Sequence, residues 1–87
     1  MAKDNSYERI SRERDDVAIM KTPQIWPCWP FLPVKRVRNG IETAVLGAFS
    51  EAPLTRLYLC NMYDFDHTKF KDYESAEAIA ADGWIVD

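Results

Sequence analysis

The chain has 87 residues, 47% of them hydrophobic and 29% charged, with a net charge of −3. That length sets a single domain over 1–87, and the composition is that of an ordered globular chain, not a disordered one. No apolar run reaches the ~20 residues a membrane span needs, and the charged start gives no apolar signal core, so a cytoplasmic protein with free thiols at Cys28 and Cys60 is expected.

Residues 6–20 carry the pattern of a helix. Asn5 is a candidate N-cap with Glu8 three residues on. Tyr7, Ile10, Val17 and Met20 fall near one face, and Glu8–Arg12, Arg9–Glu13 and Arg12–Asp16 are i,i+4 pairs of opposite sign. Thr22 precedes Pro23 and should end the helix.

The next stretch has the highest density of rings in the chain. Pro27, Pro30 and Pro33 recur every three residues, the repeat of a polyproline II helix. Residues 23–33 are therefore expected to form an extended strap, excluded by its prolines from the middle of a sheet. Trp26 and Trp29 would close the core, and Cys28 would be a small buried hydrophobe. Pro30-Phe31-Leu32-Pro33-Val34-Lys35 also fits a Pro-x-x-Pro-x-basic ligand for an aromatic-lined groove.

Asn39-Gly40 is a strong hairpin signal, because both central residues of a type I′ turn need positive φ. It predicts that strand 34–38 pairs with strand 41–49, with Arg38 opposite Ile41 and Val34 opposite Val45. Arg36 and Arg38 would then share a face with Thr43. Gly47 marks a bulge or a close approach of the strap. Residues 56–63 form a third strand, 64–72 a polar loop holding Phe65 and Phe70, and 76–82 a short helix capped by Ser75 and stopped by Gly83. Residues 84–86 close the chain as a final strand. The fold class is α+β: a mainly antiparallel sheet of three or four strands, with an N-terminal helix, a proline/tryptophan strap and a short C-terminal helix over one face.

No complete catalytic or cofactor motif is present. Asp64-Phe65-Asp66-His67-Thr68 resembles the nucleophile loop of haloacid-dehalogenase-type phosphohydrolases, in which the first Asp attacks phosphorus beside Mg²⁺. The resemblance covers five residues, and the nineteen after Thr68 are too few for the parallel sheet that chemistry uses. A calcium loop counted from Asp64 fails as well, with Lys69 where Gly belongs and Ser75 where Glu belongs. His67 is the lone histidine. The glycines are isolated, so no phosphate loop exists. No enzyme activity, cofactor or metal is expected.

Charge is distributed unevenly. Residues 1–38 hold eight Lys/Arg against five Asp/Glu, a balance of +3, and residues 39–87 hold three against nine, a balance of −6. Two meanings are open: intramolecular compensation, or an acidic face offered to a basic protein partner. Asp72, Glu74, Glu77 and Asp82 are the acidic candidates. Arg36 and Arg38, with Lys35, form the one basic cluster, and overall acidity argues against nucleic acid as its partner.

Trp-Pro-Cys-Trp-Pro-Phe-Leu-Pro-Val-Lys-Arg at 26–36, together with the segment Tyr73-Glu74-Ser75-Ala76-Glu77 and the ending Ala81-Asp82-Gly83-Trp84-Ile85-Val86-Asp87, resembles small bacteriophage-encoded accessory proteins. The resemblance implies a role in the host cytoplasm or the virion and carries no catalytic residues across. The expectation is a non-enzymatic protein-binding module that modulates a host or phage protein. The alternative is a virion or assembly component, which would appear as a stable homo-oligomer.

Overall fold

The computed structural model describes residues 6–87, with side chains from Arg12 onward. Helix α1 (Ser6–Met20) is followed by a 3₁₀ turn (Pro23–Ile25), β1 (Phe31–Val37), β2 (Ile41–Gly47), β3 (Arg56–Tyr58), a second 3₁₀ turn (Met62–Asp64), β4 (Phe70–Asp72), α2 (Ala76–Ala81) and β5 (Ile85–Val86). The strands form one antiparallel sheet in the order β4-β3-β2-β1-β5. The α+β class is as expected, with one strand more than the sequence suggested. The Asn5 cap, the Tyr7 and Ile10 positions and the Glu8–Arg12 and Arg9–Glu13 pairs lie outside the described residues. The Arg12–Asp16 pair is formed at 3.6 Å.

The strap is not extended. Ile25, Trp26, Trp29 and Phe31 each donate a backbone N–H to the carbonyl three residues earlier, at 2.8–3.2 Å. Consecutive turns thus satisfy groups that a polyproline helix would leave to water. The Trp29–Pro30 peptide is cis. The threefold edge breaks accordingly: Trp26 is 4% exposed and Trp29 63%. Trp26 is a core residue and donates Nε1–H at 2.7 Å to the Ile19 carbonyl at the end of α1, which also accepts from Thr22 N–H at 3.0 Å. Trp29 is not core, and Cys28 is exposed where burial was expected. Leu32 is buried and Pro33 lies inside β1, so the Pro-x-x-Pro segment is unavailable to a groove. Pro33 is tolerated between two strands because its carbonyl, and hence its nitrogen, points to the β5 side. There it accepts from Asp87 N–H at 3.1 Å, just past the end of β5.

The hairpin register differs by one residue from the expectation. Val37 pairs with Ile41, Arg36 with Glu42, Lys35 with Thr43 and Val34 with Ala44. The Asn-Gly turn is a three-residue loop, Arg38-Asn39-Gly40, with φ of 56° at Asn39 and 127° at Gly40. A single-residue slip moves every side chain to the other face, so burial decides the register. The observed one puts Leu32, Val34, Ala44 and Leu46 on one face with Leu57, beneath Met20, Trp26, Ile79 and Trp84. Each buried Leu, Val, Ile or Met among them contributes about 1.5–3 kcal/mol. It also sets Arg36 against Glu42 and leaves Thr43 beside Lys35, not beside the arginines.

The opposite face carries a second, aromatic cluster. Phe65 packs 5.1 Å from Phe31, 5.6 Å from Phe49 and 4.9 Å from Tyr58 between ring centroids. The chain after Tyr58 therefore leaves the sheet and folds back over this face, and β3 ends at Tyr58 instead of Tyr63. It returns as β4, which the sequence left in a loop. The close approach at Gly47 is the Phe49 ring, not the strap.

Helix α2 begins as expected, with the Ser75 hydroxyl accepting from Ala78 N–H at 3.1 Å, and stops at Gly83, whose φ is +98°. At the β5 edge, α1 stands in for a sixth strand. Val86 N–H donates to the buried Asp16 carboxylate at 3.1 Å, and Arg12 donates to the Val86 carbonyl at 3.1 Å.

Candidate functional site

Asp82 caps the C-terminal end of α2, where the helix dipole and unpaired carbonyls disfavour a negative group. The protein compensates with cations. Arg36 reaches the carboxylate at 2.9 Å, Arg38 at 3.3 Å and Lys71 at 3.9 Å, and the Tyr73 hydroxyl donates to it at 2.5 Å. Arg36 and Arg38 also donate to the Asp82 carbonyl, at 3.3 and 3.1 Å. Arg36 forks onto Glu42 at 2.7 and 3.2 Å and lies 4.5 Å over the Trp84 ring. The Tyr73 hydrogen bond, then Arg38, Arg36 and Lys71, hold the Asp82 carboxyl below the usual carboxylate range. The hydrogen bond from Arg36 does the same for Glu42. Burial, then the Asp82 contact, pushes the Tyr73 hydroxyl up.

The other acidic candidates stand apart. Asp72 pairs with Arg56 through two hydrogen bonds, at 2.7 and 3.1 Å, which lower its pKa. Glu77 pairs with Lys21 at 2.5 Å, again lowering the carboxyl. Glu74 is exposed and has no ion pair among the described residues. The acidic and basic candidates thus meet at one cluster, Arg36–Arg38–Asp82, and of the remaining acidic candidates Asp72 and Glu77 each have their own cation and Glu74 does not. Lys35 completes the pattern, 3.6 Å from Asp87.

The 64–68 loop is occupied with its own backbone. The Asp66 carboxylate accepts from Thr68 N–H at 3.0 Å and from its hydroxyl at 2.6 Å, and these bonds keep it ionised below the usual range. Cys60 Sγ accepts from Asp66 N–H at 3.3 Å. Among the described residues no three His, Cys, Asp or Glu side chains converge on a metal-sized site.

A different surface emerges only from the fold. Val37 and Ile41 face each other across the end of the hairpin and are 70% and 72% exposed. They project from the face that the helices leave open. On the same face Tyr63, 89% exposed, and Met62 wall a groove of about 250 Å³ floored by Pro33, Thr43 and Val45. The available signal was an apolar residue on each side of the Asn-Gly turn, legible only once the register is known.

Comparison with family models, with curated proteins and with solved structures gave no match.

Proposed function

We propose that the protein is a non-enzymatic protein-binding module whose contact surface is the open face of the β1–β2 hairpin. The observation that carries this is the exposed Val37–Ile41 pair, set side by side by the hairpin register beside an apolar groove. Contiguous exposed apolar surface of this kind marks interaction sites. The acidic face is the weaker contact, because Asp72, Glu77 and Asp82 are already neutralised from within. The resemblance of the strap and the ending to phage accessory proteins makes a host or phage protein the partner class.

The test is capture from host lysate, followed by binding measurements with the purified partner. Ile41→Lys should abolish binding, while Glu74→Lys with Glu77→Lys should leave it within about twofold, as expected of exposed charges outside the contact. The reverse pattern would transfer the contact to the acidic face. A light-scattering mass above the monomer, lost in Ile41→Lys, would favour the assembly-component reading.

A further inference from the structure

The same hairpin has a free edge. Among the described residues β2 pairs with β3 only at Val45 and Leu46, and β1 with β5 only at Val34 and Lys35. The half of the hairpin nearer the turn stands clear of the sheet on both flanks. Ala48 N–H donates to Pro30 and Arg38 N–H to Gly40, so the even-numbered residues of β2 exchange hydrogen bonds with β1. In an antiparallel ladder the odd-numbered ones then point the other way. Ile41 and Thr43 therefore turn their N–H and C=O groups outward, on the flank where β3 has ended.

We propose that the partner binds here as an extended peptide segment that adds to β2 as a strand, with one side chain entering the groove beneath Met62 and Tyr63. This rests on the binding-module reading above and names the partner's form. The chemistry of the edge specifies it: backbone donors and acceptors spaced two residues apart are met by another extended backbone, while the adjoining pocket selects the side chain.

A second copy of this chain is a poor occupant in every two-fold register. Centring on Glu42 crowds the two Arg36–Glu42 pairs together in the close, non-hydrogen-bonded position, where each carboxylate meets its like and gains no opposite charge across the seam. Centring on Thr43 brings Ile41 to Val45, whose outward groups already bond Tyr58. Centring on Ile41 brings Thr43 to Asn39, whose φ of 56° is not extended. The occupant is thus a segment of another protein. Apolar side chains lie opposite Ile41 and Thr43, and between them sits a basic or neutral residue facing Glu42.

The test uses a display library of random linear peptides selected on the full chain. Selection should enrich an apolar–x–apolar triplet in which x is basic or neutral and not acidic. Amide exchange with the synthesised peptide should show new protection at Ile41 and Thr43, with Glu42 and Ala44 protected already in the free protein. Thr43→Pro removes one outward N–H and leaves the β1–β2 ladder intact, since proline is tolerated where the N–H faces solvent. It should weaken the peptide about tenfold, the effect of one lost hydrogen bond. Should Thr43→Pro not fold, the exchange pattern decides alone. Unchanged protection at Ile41 and Thr43, undiminished binding by folded Thr43→Pro, or a selection with no enriched peptide would each overturn strand addition. The lysate experiment with Ile41→Lys is independent of all three.

Discussion

Arg36 and Asp82, 46 positions apart in the chain, are joined by two hydrogen bonds from one guanidinium nitrogen, to the carboxylate at 2.9 Å and to the backbone carbonyl at 3.3 Å. This contact ties the hairpin to the end of α2. It also pairs one residue of the basic cluster with one of the acidic candidates. A charge imbalance along a chain says little about the surface until the fold has decided which charges meet.

The cluster should show in the pH dependence of stability. Asp82 is held below its unfolded pKa in the folded state. Its contribution is therefore present above the ordinary carboxylate range and is lost as pH falls through that range and below. Asp82→Asn should lower the urea midpoint at neutral pH, and the gap between the two curves should narrow as pH falls through the ordinary carboxylate range and close only below it, once the folded carboxyl is protonated as well. A constant gap across that range would mean that Asp82 acts through packing and not through charge.

The two tryptophans of the strap should separate cleanly. Trp26→Ala removes a buried ring and the bond to Ile19, and should cost about 3–5 kcal/mol, enough to unfold so small a domain. Trp29→Ala, at an exposed ring, should stay within about 0.5 kcal/mol. Chemical denaturation followed by far-ultraviolet circular dichroism measures both. Equal losses would place Trp29 in the core after all.

Gly83→Ala should destabilise by about 1–2 kcal/mol, because a side chain at φ +98° meets the left-handed penalty. An added Cβ would also press on the Arg36 stem, at 3.2 Å from its Cδ. A thermal scan of the variant checks this, and an unchanged midpoint would show that the helix end relaxes freely.

In the acidic loop, Asp64→Asn should be neutral within about 0.5 kcal/mol. Asp66→Ala removes the acceptor for Thr68 and should make residues 59–69 more sensitive to limited proteolysis, with Mg²⁺-dependent hydrolysis of a generic phosphate ester absent in wild type and variants alike. Hydrolysis that vanished with either substitution would restore the catalytic reading of this loop.

The parts of the fold with local causes were legible. Proline ends α1, Ser75 and Gly83 bound α2, and Asn39-Gly40 makes the hairpin. The register was not, because a two-residue and a three-residue loop share the Asn-Gly signature, and only the burial of Leu32 and Val34 against Leu46 chooses between them. Strand β4 was hidden because Phe70, Lys71 and Asp72 are all exposed and show no alternation; its pairing with β3 creates it. Trp29 misled because threefold spacing predicts a common edge only if no turn intervenes. The exposed hairpin end could be recognised only after the register had set Val37 opposite Ile41.

The pairing of Val86 with Arg12 and Asp16 gives the sheet an unequal pair of flanks. A strand arriving at β5 finds the outward groups of Val86 already taken by the helix, whereas the other end of the sheet, β4, has no helix across it. Lateral stacking of sheets into a growing fibre requires two receptive flanks per molecule. With the β5 end sealed by α1, stacking through both ends of this sheet is closed, and any added strand must enter at β4 or along the uncovered half of the hairpin.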